Sequence, residues 1–143
     1  MHALIDAFMT RYAALFRRAL IEDPAPDEIA ALYAAEVIAA SPQGVRAARN
    51  DADFARAMRQ AHARYRAIGT RDIRIETMRL SPIDDHHCIA HVGWHASYAR
   101  DGAPDQQIAF EVHYLMQVLD DQPRIFGWVS GDEQAVLRQH GII

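Results

Sequence analysis

The sequence predicts an α+β fold in which three N-terminal helices pack on a strongly curved, mostly antiparallel sheet, with a short helix at the C-terminus. Up to residue 68, apolar residues recur every three or four positions, which is the period of an amphipathic helix. From residue 71 onward, apolar and polar residues alternate, which is the period of a half-buried strand. Because the strands follow the helices, we expect the helices to cover one face of the sheet.

Two helices are predicted before the first strand. The first spans residues 3–21, and its apolar stripe consists of Leu4, Phe8, Tyr12, Leu15, Phe16 and Ala19. The proline-rich acidic segment 23–28 ends this helix and begins the next, because proline and carboxylates both suit a first helical turn. We expect Ile29, Leu32 and Tyr33 to form the buried stripe of that short second helix.

A small hairpin and a third helix come next. Residues 37–40 and 45–49 are predicted to pair across a turn at 41–44. Asn50 or Asp51 is expected to cap the third helix, and Gly69 to end it. The buried stripe of this helix consists of Phe54, Met58, Ala61, Tyr65 and Ile68.

The remaining chain is predicted to form a meander of strands. The strands cover residues 73–78, 88–100, 107–119 and 124–130, separated by turns rich in Asp, Gly and Pro. The run from Ser130 to Glu133 matches a capping box, in which the serine accepts from the third helical amide and the glutamate reaches back. A short helix should follow and end near Gly141.

Composition excludes several chemistries. The chain has 143 residues and a net charge of −4, which fits one domain over residues 1–143. All 15 cationic side chains are arginine, so the lysine of a phosphate-binding loop or of a pyridoxal enzyme is missing. Cys88 is the only cysteine and is expected to be a buried apolar residue. We therefore predict no cofactor.

No membrane or nucleic-acid partner is expected. No stretch approaches the about 20 apolar residues that cross a bilayer, and Asp6 and Arg11 interrupt the apolar N-terminus, so we expect a cytoplasmic protein. Four arginines lie off the apolar stripe of the third helix, namely Arg56, Arg59, Arg64 and Arg66. Because the chain is acidic overall, we interpret them as a solvated helix face.

No metal site is predicted. His91 and His95 have the spacing of a zinc-binding helix, but on a strand they would lie about 13 Å apart and could not hold one ion. The segment 84–87, Asp-Asp-His-His, is interpreted as a solvated turn.

Three short segments in this order of elements resemble the NTF2-like superfamily, which includes SnoaL-like polyketide cyclases and ketosteroid isomerases. The segments are FMTRY at 8–12, LYAAE at 32–36 and DDQPRI at 120–125. The resemblance extends over residues 4–132. It implies a cone-shaped α+β barrel with a pocket between sheet and helices. Since the superfamily contains isomerases, dehydratases, cyclases and non-catalytic domains, the fold alone does not assign a function.

The resemblance also tests one mechanism. Tyr12 matches the oxyanion-hole tyrosine of a ketosteroid isomerase, but Ser41, before Pro42, stands where that enzyme has its carboxylate base. Leu115 stands where the isomerase has a second oxyanion donor and where the cyclases have an acid/base aspartate. A serine hydroxyl cannot abstract the proton without a base of its own. Isomerisation by that mechanism is therefore not expected.

The expected pocket has Tyr12 in its wall. Its further lining is predicted to be Phe16, Ser41, Met58, Trp94, Leu115 and Trp128. Alternation in residues 108–118 would send Glu111 and His113 away from the pocket, whereas the resemblance, through Leu115, points both into it. We follow the resemblance, because a homodimer through the sheet would account for apolar residues on both faces.

Three functions remain open from the sequence. The first is binding of a small, largely apolar organic molecule in the pocket. The second is a lyase or isomerase, dehydratase- or cyclase-like, that acts on a cyclic or polyketide-like substrate through Tyr12 with His113 or Glu111, since histidine titrates near neutral pH. The third is a non-catalytic association module.

Overall fold

Six strands form one mixed sheet, accompanied by four helices, in a computed structural model that describes residues 1–143. This confirms the α+β class. In chain order the elements are α1 (His2–Ala19), α2 (Pro26–Ala30), β1 (Tyr33–Ser41), β2 (Gly44–Arg49), α3 (Ala52–Ala67), β3 (Thr70–Pro82), β4 (His87–Arg100), β5 (Ala103–Leu119), β6 (Gln122–Ser130) and α4 (Glu133–Gln139). None of these helices is long and apolar enough to cross a bilayer.

The strands lie in the order β2-β1-β6-β5-β4-β3. Neighbouring strands are antiparallel except β1 and β6, which run parallel. The two aspartates of the β5–β6 turn, Asp120 and Asp121, have φ of 51° and 58°. Two successive residues of positive φ are typical of a type I′ hairpin turn, which aspartate tolerates.

Helix ends differ from the prediction at two places. Asp51 caps α3 as expected, because its side chain accepts from the Phe54 amide at 3.0 Å. The second helix is only five residues long, and Tyr33 begins β1 instead of continuing α2. The predicted capping box at Ser130 does not form, because Asp132 is the N-cap of α4 and accepts from the Ala135 amide at 3.0 Å.

One face of the sheet carries the core. Along β4, every second side chain is buried, and the buried set is Cys88, Ala90, Val92, Trp94, Ala96 and Tyr98. On β5 the alternate residues Ile108, Tyr114, Met116 and Val118 are buried with them. This inner face packs against α1 and α3, and their shared boundary positions the candidate site.

Candidate functional site

A cavity of about 220 Å³ lies between the inner face of the sheet and helices α1 and α3. Most of its wall is apolar or aromatic. The lining consists of Tyr12, Phe16, Tyr33, Met58, Ala61, His62, Tyr65, Ile73, Trp94, Phe110, Val112, Tyr114, Trp128, Ser130 and Glu133. Tyr12, Phe16, Met58, Trp94 and Trp128, which the sequence analysis assigned to a pocket, therefore lie together.

Three buried tyrosines bring their hydroxyl groups together in this cavity. The Tyr12 and Tyr33 hydroxyls are 3.3 Å apart, and the Tyr114 ring packs edge-on against Tyr12 with centroids 5.5 Å apart. The Trp94 indole donates to the Tyr114 hydroxyl at 3.1 Å. Burial raises the pKa of all three phenols, so they remain protonated donors at neutral pH.

A carboxylate enters the cavity from the start of α4. The Tyr65 hydroxyl donates to Glu133, with 2.6 Å to Oε1 and 2.7 Å to Oε2. Burial raises the pKa of Glu133, and the hydrogen bond from Tyr65 offsets part of that rise. The carboxylate forms no ion pair with any arginine or histidine. Tyr65 is thus the only side chain that hydrogen-bonds to this carboxyl group.

His62 on α3 contributes a buried nitrogen without a partner. The residue is 8% exposed, and its Nδ1 has no hydrogen bond. Its ring lies edge-on to Phe16, with centroids 5.5 Å apart. Burial lowers the pKa of His62, and the charge of Arg66 lowers it further, so the ring is neutral at neutral pH. An unsatisfied buried polar atom of this kind costs stability unless a bound group pairs with it.

Glu111 and His113 lie on the opposite face of the sheet, so their predicted orientation is wrong. His113 faces His91 across the β4–β5 pair, and their Nδ1 atoms are 2.6 Å apart. Glu111 is exposed. The strand alternation, which turned both residues outward, was the better guide, because Phe110, Val112 and Tyr114 fill the inner positions.

Ser41 and Leu115 are also outside the cavity, contrary to expectation. Ser41 lies at the β1–β2 turn, where its hydroxyl donates to Gln43 Oε1 at 2.8 Å. Leu115 has the same strand parity as His113 and pairs with Gly127 on β6. The next pair along shifts register between Leu115 and Met116, but the shift does not return Leu115 to the inner face.

Five of the lining residues described above were missed as site residues. Tyr33, Tyr65 and Tyr114 appeared in the sequence only as members of apolar stripes, and Glu133 was assigned to a capping box. His62 was not singled out, although it lies four residues after Met58 on α3 and therefore shares its face. Polar residues within an apolar helical stripe were the available signal. No cluster of three or more metal-binding side chains occurs in the structure.

A family model described as NTF2-like protein (DUF6841) matches residues 3–133. The chain belongs to this NTF2-like family. No curated protein matches the sequence.

Solved structures share the NTF2-like fold at low sequence identity. An NTF2-like protein with a cystatin-like fold from Novosphingobium aromaticivorans has a TM-score of 0.69 at 12% identity, covering 99% of this chain and 88% of that one. The beta subunit of benzoate 1,2-dioxygenase from Burkholderia mallei has a TM-score of 0.65 at 18% identity, with coverages of 93% and 91%. A candidate polyketide cyclase from Xanthomonas campestris has a TM-score of 0.55 at 16% identity, with coverages of 94% and 93%. These similarities support the fold.

Proposed function

We propose that this NTF2-like chain, as a single domain whose sheet curves strongly over the helices, binds a small, largely apolar organic molecule in the aromatic cavity. The aromatic lining carries the proposal, since Phe16, Trp94 and Trp128 surround a cavity of about 220 Å³ between the sheet and the helices. The apolar body of a ligand would replace water against these walls, and a polar group on it would pair with polar side chains of the lining such as Tyr12 or Glu133.

A cavity-blocking variant tests binding. Ala61 lines the cavity, whereas Ala63 on the same helix is exposed. We expect small aromatic compounds to raise the melting temperature of the wild-type protein and of Ala63→Met, but not of Ala61→Met, because a ligand stabilises only the state that binds it. Equal shifts in both variants, or no shift with any compound, would contradict the proposal.

A lyase or isomerase acting on a cyclic or polyketide-like substrate is the second candidate. Glu133 favours it, because a carboxylate with a raised pKa in the same cavity as the Tyr12 phenol could accept a proton from a substrate carbon. Glu133 here takes the place that the sequence analysis gave to Glu111 or His113. In D₂O, the wild-type protein should then catalyse the exchange of the α-protons of cyclic ketones for deuterium, and Glu133→Gln should not. Ketones that bind without exchange would exclude this candidate.

A homodimer through the outer face of the sheet is also proposed. Ile38 and Val129 are 46% and 44% exposed on adjacent strands, and Phe126 lies with Ile38 in an open groove of about 470 Å³. Contiguous apolar surface of this kind is typical of an interface. Light scattering should give a dimer mass for the wild-type protein and a monomer mass for Val129→Arg; a wild-type monomer would contradict the proposal.

A purely associative role, without a ligand, predicts that no compound shifts the melting temperature.

A further inference from the structure

One acidic side chain lines the cavity. Glu133 is its only carboxylate, no arginine lines it, and His62 is neutral. The charged groups nearest to His62, Arg66 and Asp23, are not in the lining. A bound cation would stabilise the ionised form of this carboxyl group, and the attraction between the two charges would be weakly screened, since most of the surrounding wall is apolar.

The walls around this carboxylate are also suited to a positive charge. Aromatic rings carry negative potential on their faces and attract ammonium groups within about 6 Å of the ring centroid. Five lining residues besides the buried tyrosine cluster are aromatic and surround the space from both helices and three strands, namely Phe16, Tyr65, Trp94, Phe110 and Trp128. A wall of this composition favours a cation over an anion of the same size.

The Glu133 carboxyl group can accept more hydrogen bonds than the protein gives it. The Glu133 oxygens accept from a single phenol, Tyr65, which leaves lone pairs on both. An ammonium group offers only donors and would pair with these lone pairs, whereas a carboxylate ligand would add further acceptors.

Burying a cation has a desolvation cost, which this site reduces in advance. Glu133 is already partly removed from water by the fold, as its raised pKa indicates. The cost of desolvating Glu133 is therefore already part of the folded state. When a cation binds, only the cost of desolvating the ligand has to be offset.

We propose that the cavity selects small organic cations, in which an ammonium or quaternary ammonium group beside Glu133 is carried on a compact apolar body. This rests on the proposed function, since it names the ligand class for the same cavity. The volume of about 220 Å³ is below the range typical of drug-sized ligands, so the body is no larger than about one ring and a short chain.

Three probes with one aromatic body and different charges test the selection. They are 2-phenylethylamine, 2-phenylethanol and phenylacetate, compared by calorimetric titration at pH 7. We expect the amine to bind at least about tenfold more tightly than the alcohol, as for a hydrogen bond to a charged group, and the acid to bind weakest. Glu133→Gln should remove the preference for the amine, so that the amine and the alcohol bind with similar affinity. Glu111→Gln removes the same charge from the outer face and should leave the preference unchanged.

The outcomes separate the two proposals. If the alcohol or the acid binds at least as tightly as the amine, the cavity binds ligands but the inferred cation selectivity is wrong. If none of the three probes binds, the proposed binding function fails along with it. Should Glu133→Gln not fold, phenyltrimethylammonium and its neutral isostere tert-butylbenzene are compared on the wild-type protein, where equal affinity would overturn the inference.

Discussion

The substitution Tyr65→Phe tests whether Glu133 is held in the cavity by one phenol. It deletes the hydroxyl that contacts both carboxylate oxygens, at 2.6 and 2.7 Å, and changes little else in the wall. A hydrogen bond to a charged group contributes about 1.5–3 kcal/mol. Because Glu133 is only half-buried, we expect the low end, about 1.5 kcal/mol, or a fall in melting temperature of about 4–6 °C for a chain of this length.

The loss should depend on pH in a defined direction. Burial raises the pKa of folded Glu133 above its ordinary 4.5, so the folded state binds the proton more tightly and stability falls as pH rises through that window. Without the Tyr65 hydroxyl the pKa of Glu133 rises further, and this fall becomes larger. The difference between variant and wild type should therefore be greatest at pH 7–8 and smaller below pH 4.5.

Urea unfolding at pH 4 and pH 7.5 measures this difference, and Tyr98→Phe is its matched control. Tyr98 is fully buried nearby but its hydroxyl makes no hydrogen bond with the protein, so its loss should cost less than about 0.5 kcal/mol. Equal losses for the two variants at pH 7.5, or a Tyr65→Phe effect that does not change with pH, would refute the role given to Tyr65.

Three further substitutions probe other parts of the account. His62→Phe removes the unpartnered Nδ1 and should stabilise the ligand-free protein by about 1 kcal/mol in urea unfolding at pH 7.5. Because the pKa of folded His62 lies below 6.5, the stability of the wild-type protein should fall as the pH decreases below 6.5. The variant should lose part of that pH dependence. Gly127→Ala places a Cβ 2.8 Å from the Ile38 carbonyl oxygen and should cost about 1–3 kcal/mol by the same assay, whereas Gly131→Ala, with open space around it, should not. Asp51→Ala removes the cap of α3 and should cost about 1 kcal/mol in thermal melts; an unchanged melting temperature would show that the cap is dispensable.

Local patterns predicted most of the elements. The apolar stripes of α1 and α3 and the alternation of β4 and β5 are long and regular, so their period identified them. Tyr33 was assigned to a helix because a five-residue helix followed at once by a strand leaves too few residues for either period to show. The parallel pairing of β1 with β6 joins segments about 90 residues apart in the chain, which no local pattern records.

The candidate site was predicted only in part. Phe16, Trp94 and Trp128 were predicted as pocket wall and do line the cavity, but Glu133 was assigned to a helix cap, since its sequence neighbours match that motif equally well. Its actual partner, Tyr65, lies 68 residues away in sequence. The outward placement of His113 could have been predicted from the alternation of β5. In this strand every second side chain from Tyr114 to Val118 is buried, and His113 lies at the opposite parity.

Intrinsic fluorescence tests the central claim most directly, because both tryptophans of the chain, Trp94 and Trp128, line the cavity. Titration of wild-type protein with 2-phenylethylamine should change their emission saturably, at the concentration that gives half-maximal heat in calorimetry. Ala63→Met should behave in the same way and Ala61→Met should show no saturable change. An emission that responds neither to the amine nor to 2-phenylethanol, or that responds equally in both variants, would contradict a ligand site between the sheet and the helices.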